Sequence, residues 1–171
     1  MRVALALVLV ATACRYDLDH ATYDDAAESR LCKVSTNTQS CLDADAHSDF
    51  TFIHTTIIKP KCIFSGCHDG GTSKQGMLDL RMKDTAYSKL VGAASVLDPS
   101  RTLVVPGNVN QSFIMPMLAA IKTSEADPPL ASIPLDDKGN VVGTMPQNST
   151  IICCQKLDAI GRWITAGAAN D

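Results

Sequence analysis

The sequence predicts a small all-α domain with long loops, and three observations lead to this prediction. Apolar residues recur at helical spacing in several segments, most clearly near the end of the chain. No run of useful length alternates between apolar and polar residues as a half-buried strand does. Glycine and proline separate the helical segments over long stretches, and long loops in a compact domain need something to pack against.

The composition of the 171 residues limits the classes of protein to consider. Aromatic residues make up 5% of the chain, so the core is modest, and small domains of this kind often rely on disulfides or a cofactor. The net charge of −3 excludes a polybasic nucleic-acid-binding protein. Seven cysteines in a chain of this length indicate specific chemistry.

Residues 1–13 are predicted to be a signal peptide, because a short cationic start, an apolar run and small residues come in that order. A cysteine directly after the small residues resembles a bacterial lipoprotein signal, which implies cleavage before Cys14 and lipid on its sulfur. A plain signal peptide with an incidental cysteine is the alternative. We therefore expect export to an oxidising compartment and a lipid anchor in the cell envelope. Arg15, where retained enteric lipoproteins carry Asp, favours the outer membrane, facing the periplasm.

Residues 14–49 are predicted to be a polar, acidic tether. Over residues 15–50 eight acidic and three basic side chains give a net charge of −5. So few large apolar residues cannot offset the entropy lost on ordering. Cys32 and Cys41 are candidates for a small disulfide loop within the tether. Alternatively, one of the adjacent cysteines Cys153 and Cys154 pairs with Cys32 or Cys41, since a bond between neighbours does not fit a regular helix.

The domain itself is predicted over residues 50–171. A first helix begins near Phe50, and Lys59-Pro60 ends it just before Cys62. Asp84 caps a short second helix, which Gly92 stops. Pro106-Gly107-Asn108 forms a turn before a third helix, and residues 122–144 form another loop. The apolar residues expected to pack the helices or surround a cofactor are Phe52, Ile57, Leu78, Leu80, Leu90, Phe113, Leu157 and Ile160.

A final amphipathic helix follows Ser149 or Thr150, either of which serves as its N-cap, and Gly167 ends it. Its predicted buried stripe contains Cys153, Leu157, Ile160 and Ile164, flanked by Trp163. The side chains predicted to point outward are Gln155, Lys156, Asp158 and Arg162.

The segment from Cys62 to His68, with the sequence CIFSGCH, is the most informative. In c-type haem attachment two cysteines form thioethers to the haem vinyl groups, and the histidine directly after the second cysteine coordinates iron. The gap between the cysteines is four residues here, where two is usual. A methionine sulfur commonly fills the second axial position. Met145, before a proline, is one candidate, and Met77, Met82, Met115 and Met117 compete with it.

Together these features resemble the cytochrome c-like domain lipoproteins of myxobacterial and planctomycete type. The resemblance covers roughly residues 50–169, and its motifs follow in order: IIKPKC, GCH, LDL, VPGN with QSF, Met145-Pro146, and RWITAGA. It implies a cytochrome c-like fold in which the first and last helices cross. It also implies one haem c attached through Cys62 and Cys67, with His68 as the proximal ligand and Met145 as the distal ligand.

Three other interpretations of these residues remain open. Cys62 and Cys67 could form a short disulfide, as in many exported proteins. They could also bind zinc together with His68 and a later cysteine. His54 could be the distal iron ligand, although a solvated or helix-face histidine is the simpler expectation.

The expected function is single-electron transfer by an exported mono-haem protein, which is not itself an enzyme. No nucleophile elbow, phosphate loop or dinucleotide fingerprint is present in the sequence. The sequence does not name a redox partner, and the domain could also be an electron-accepting module of an oxidoreductase. The alternative is a haem-free, disulfide-stapled surface lipoprotein that acts as a binding or structural module.

Overall fold

The computed structural model of the chain describes residues 37–64, 67–71, 78–132, 144–146 and 152–171. These residues form short helices joined by loops, and their only β-structure consists of isolated bridges. The prediction of a mostly helical domain is therefore confirmed. The helices are α1 (Gln39–Leu42), α2 (Phe50–Cys62), α3 (Lys83–Leu90), α4 (Ile114–Met117) and α5 (Cys154–Thr165), with 3₁₀ turns at Asp43–Ala46 and Thr123–Glu125.

Helix α2 is continuous but changes its winding along its length. Phe50–Phe52 and Lys59–Cys62 are α-helical, and Ile53–Ile58 between them is a π-helix. The expectation that Lys59-Pro60 ends the helix is therefore wrong. Pro60 lies in the first turn of the Lys59–Cys62 segment, where a missing N–H is tolerated, and the Lys156 ammonium donates to Thr56 O at 3.3 Å. The helix therefore continues to Cys62, and Lys156 connects this part of α2 to α5.

Helices α2 and α5 pack against each other, and an aromatic cluster joins them to α3. The Phe50 ring lies 5.0 Å from the Trp163 ring and 5.5 Å from the Tyr87 ring, measured between centroids. The polar atoms of the cluster are paired: Trp163 Nε1–H donates to Ala169 O and the Tyr87 hydroxyl donates to Ala168 O. Buried indole and phenol groups need such partners, so the cluster also holds the segment after α5.

The final helix begins at Cys154 with Cys153 as its N-cap, so the helix starts later than predicted, and Ser149 and Thr150 lie outside the described residues. The buried stripe and the stop at Gly167 are confirmed. The outward orientation of Gln155 and Lys156 is wrong, because both are buried. That face of α5 is covered: Lys156 Nζ donates to Ser40 Oγ at 3.2 Å as well as to Thr56 O.

Residues 37–49, predicted as the end of the tether, are folded onto α5. Cys41 forms a disulfide with Cys153, with a Cα–Cα distance of 6.3 Å. The Arg162 guanidinium donates to Ala44 O at 2.6 Å and to His47 O at 2.9 Å. The proposed loop between Cys32 and Cys41 is therefore wrong, and the alternative pairing of Cys41 with one of the adjacent cysteines is confirmed.

The remaining helices are short. Helix α3 has Met82 as its N-cap, and Asp84, predicted as the cap, lies in the first turn and accepts a hydrogen bond from Asn170. The turn at Pro106-Gly107 is confirmed, with Gly107 at φ +77°. Helix α4 is a single turn, and Pro116 sits within it where no N–H is required.

Candidate functional site

The CIFSGCH segment begins at the C-terminal end of α2 and turns back on it. The Cys67 N–H donates to Phe64 O at 2.8 Å, and the His68 N–H donates to Cys62 O at 3.2 Å. Cys62 is the last residue of α2, so its carbonyl is one of those that a helix leaves without an internal partner. The turn therefore brings Cys62, Cys67 and His68 together. Residues 65–66 lie outside the described residues.

The thiols of Cys62 and Cys67 are both free, whereas Cys41, Cys153 and Cys154 are in disulfides. Burial, and to a smaller extent the neighbouring Cys67, raise the pKa of the Cys62 thiol to about 11. The two cysteines are near enough to influence each other but are not bonded to each other. The short disulfide considered above is not formed.

A zinc site also lacks the ligands it would need. No group of three or more His, Cys, Asp or Glu side chains within the described ranges is arranged to hold a metal ion. The described cysteines other than Cys62 and Cys67 are all oxidised, and a disulfide sulfur does not provide the thiolate that zinc requires. Free thiols with an adjacent histidine, by contrast, are the groups needed for c-type haem attachment.

The loop that carries His68 is held by the segment around Leu80. The Leu80 N–H donates to His68 O at 3.1 Å. Next to it, Asp79 and Arg81 form a two-pronged ion pair, with distances of 3.0 Å and 2.8 Å. Gly70 packs against this pair at φ +74°, and a Cβ there would lie 2.8 Å from Asp79 Oδ2. A side chain at position 70 would therefore push the two segments apart.

His54 is neither solvated nor available as an axial ligand. Its side chain is 2% exposed, and Nε2 lies 3.0 Å from Leu80 O, the carbonyl that it can hydrogen-bond. The spacing of Phe50, Ile53, His54 and Ile57 places them on one helix face, and this periodicity could have predicted the burial of His54. Sequence reasoning missed it because the histidine was treated alone rather than as part of that face.

Met145 is half-buried, and its N–H donates to Met117 O at 2.7 Å, so its backbone is attached to α4 and not to the His68 loop. Among the competing methionines, Met115 and Met117 are buried in the core. Met82 is 68% exposed, which makes it the poorest candidate for a buried ligand. Met77 lies outside the described residues.

The predicted apolar surroundings are largely present. Leu80, Leu90 and Ile57 are buried in one continuous core cluster, and Leu157 and Ile160 belong to the same cluster. Cys62, Ile63 and Leu78 pack against its edge. Phe113 is also buried, and Phe52 is the exception, because it is partly exposed and its ring stacks on His47 at 4.0 Å. Cys62 thus adjoins an apolar surface, which suits a porphyrin.

A groove of about 620 Å³ lies between α5 and the segment that follows α4. Its lining includes Met115, Leu157 and Gly161, but not Cys62, Cys67 or His68. This groove is therefore separate from the candidate site.

The chain matches no protein-family model, no curated protein and no solved structure. None of the helices in the described part of the chain has the length and apolarity needed to cross a membrane.

Proposed function

We propose that this protein is a small, disulfide-stapled helical domain of the c-type cytochrome class. More particularly, it is an exported, lipid-anchored carrier of single electrons with one haem c. One observation carries the proposal. Every described cysteine is in a disulfide except Cys62 and Cys67, which precede His68 in the order that haem attachment requires.

The residues have distinct roles in this proposal. Cys62 and Cys67 would form the thioethers, which prevent loss of haem outside the cytoplasm. His68 would bind iron from one side, and Met145 would bind it from the other and raise the reduction potential. When bound, the haem supplies one-electron redox chemistry. If His68 and Met145 both bound the iron, they would leave no position for a substrate, so electron transfer is the expected activity.

The proposed location follows from the first residues of the chain. Residues 1–13 are removed, Cys14 carries lipid, and the domain is held at the outer membrane, facing the periplasm. Metabolic labelling with a fatty-acid analogue tests the anchor. Label should appear in the wild-type protein and be absent from Cys14→Ser. Equal labelling of the two would contradict the proposed anchor.

The haem proposal is tested by expression of the protein together with a c-type haem-maturation system. We expect an intact mass increased by one haem and a low-spin spectrum. The double variant C62S/C67S should have the mass of the unmodified chain. Met145→Leu should lose the low-spin spectrum but keep the added mass, whereas its matched control, Met82→Leu, changes an exposed methionine and should behave as wild type. A colourless wild-type protein of unmodified mass would contradict the proposal.

The second candidate is a haem-free lipoprotein that acts as a binding or structural module, and the disulfide between Cys41 and Cys153 favours it. Such stapling can replace a cofactor in stabilising a small domain. The same mass measurement distinguishes the haem protein from the haem-free module. The haem-free module should have the mass of the chain minus two hydrogen atoms for each disulfide, with no added haem. If haem is present, the domain could serve either as a free carrier or as the electron-accepting module of an oxidoreductase.

A further inference from the structure

The geometry points to His54 as a positioning residue for the axial ligand His68, acting through the backbone of Leu80. This inference rests on the proposed function for its consequence at iron. The contacts that support it lie entirely among residues of this chain.

A closed series of hydrogen bonds connects the two histidines. His54 Nε2 lies 3.0 Å from Leu80 O. The Leu80 N–H donates to His68 O at 3.1 Å, and the His68 N–H donates to Cys62 O at 3.2 Å. His54 and Cys62 both belong to α2, so both ends of this series of hydrogen bonds lie on the same helix. The segments that carry Leu80 and His68 are thereby attached to α2 at two points.

The side chain at position 54 is suited to this task by its burial. His54 is 2% exposed and Leu80 is 4% exposed, so no water replaces the hydrogen bond if it is lost. The residue also lies within the π-helical segment Ile53–Ile58, and π-turns within α-helices occur frequently at functional sites. An apolar side chain would fill the same space but leave the Leu80 carbonyl without this donor.

The consequence concerns the backbone that carries the ligand. The orientation of an axial imidazole depends on where its own backbone is held, and mutation of the residues that orient a metal ligand typically lowers metal affinity by roughly 10- to 100-fold. If the Leu80 carbonyl is released, the Leu80 amide loses its fixed position against His68 O. The hydrogen bond from the Leu80 amide to His68 would then weaken, and with it the hold of His68 on iron.

The test compares His54→Leu, which removes the donor, with His54→Gln, which keeps one at similar reach. Ile53→Val is the matched control, because it removes a buried methylene group from the same π-helical segment without touching this hydrogen bond. The first readout is amide hydrogen exchange at Leu80 in the haem-free protein. We expect exchange about tenfold faster in His54→Leu, and near-wild-type exchange in His54→Gln and Ile53→Val.

The second readout is the electron paramagnetic resonance spectrum of the haem-loaded protein. His54→Leu should show a mixture of low-spin and high-spin iron, while His54→Gln and Ile53→Val should remain low-spin. Identical spectra and exchange rates in His54→Leu and Ile53→Val would overturn the inference, as would failure of Gln to restore them. If His54→Leu does not fold, the shorter polar variant His54→Asn takes its place in the comparison with Gln. If the wild-type protein carries no haem, the proposed function is refuted. The exchange rates at the Leu80 amide, measured in the haem-free protein, would still show whether His54 holds the Leu80 segment in place.

Discussion

Cys62 is the residue whose chemical state the structure defines most closely. Its thiol is free, half-buried and next to Cys67, and its pKa is raised to about 11, first by burial and then by that neighbour. The neutral thiol is therefore the form present at neutral pH. A thiol in this state resists oxidation and alkylation, since both reactions need the thiolate.

This pKa predicts slow alkylation of Cys62 in the folded, haem-free protein. Relative to the ordinary value of 9.0, a pKa of about 11 lowers the thiolate fraction roughly a hundredfold at about pH 8. The greater nucleophilicity of a more basic thiolate offsets part of this, so we expect a rate about tenfold below that of the urea-unfolded chain. The rate should rise with pH until about pH 11. Timed labelling with iodoacetamide, followed by peptide mass spectrometry, measures it.

The variant Cys67→Ser is the control for the second cause of the raised pKa. Without the Cys67 sulfur, the pKa of Cys62 should fall and its alkylation should become faster, while burial continues to hold the pKa above 9.0. Equal alkylation rates for folded and unfolded wild type would show that Cys62 is not shielded.

At the scale of the elements, α5 combines ordinary helix signals with contacts that come from distant segments. Two glycines illustrate the backbone conformations inside the helix and just after its end. Gly161 lies inside the helix, where a Cβ would be 3.7 Å from Met115 Cε, an ordinary contact. Gly167 follows the helix at φ +103°, a backbone conformation that side chains with a Cβ rarely adopt.

The same substitution at these two glycines should therefore have opposite effects. Gly161→Ala should stabilise the protein by about 0.5–1 kcal/mol, because alanine loses less backbone entropy in a helix. Gly167→Ala should destabilise it by about 1–2 kcal/mol, because the left-handed conformation strains a residue with a Cβ. Urea unfolding of both variants measures the free energies. Loss of stability at Gly161 would mean that the Met115 contact cannot accommodate a methyl group.

Helix α2 is connected to α5 by one side chain of α5. Pro60 would ordinarily end or kink a helix, but here it lies in the first turn of the final α-helical segment, and Lys156 of α5 donates to the Thr56 carbonyl. The pKa of Lys156 is lowered from its usual value, first by burial and then by Lys61. The helix that carries Cys62 is thus connected to α5 by a contact six residues before Cys62.

At the scale of the whole molecule, the Cys41–Cys153 disulfide joins residues 112 positions apart in the chain. It attaches residues 37–49 to α5, and Arg162 reinforces this attachment. A crosslink over so long a loop removes much of the conformational freedom of the unfolded chain. The molecule has few aromatic residues for a core, and the staple supplies part of the missing stability.

We predict that the double variant C41A/C153A has a free energy of unfolding lower by about 4–5 kcal/mol, the loss expected for a loop of about this length. Urea unfolding of the haem-free protein measures the difference. The double variant C62S/C67S is the matched control, because it removes as many sulfur atoms but no crosslink, and it should lose far less. Similar losses in both double variants would show that packing of the sulfur atoms, and not the crosslink, provides the stability.

Local patterns were sufficient to predict much of the fold and of the candidate site. Helical periodicity predicted α2 and α5, and glycine predicted the helix ends at Gly92 and Gly167. The CIFSGCH segment contains all three candidate site residues within seven positions of the chain. The predictions that were wrong concern contacts between segments far apart in sequence. The face of α5 that carries Gln155 and Lys156 was predicted to be solvated, because the segments that cover it, α1 and α2, are far away in the sequence. His54 was predicted to be solvated for the same reason, since its hydrogen-bond partner, Leu80, is 26 residues away.

The sequence by itself determined the helical class of the domain, the positions of its main helices and the residues of the CIFSGCH turn, because each depends on neighbours within a few positions along the chain. Only the tertiary structure decided which cysteines are oxidised, which polar side chains are buried, and how α2 continues past Pro60. The physical reason is that a disulfide, a buried lysine and a paired carbonyl each require a partner, and in this protein the partners are 26 to 116 residues away.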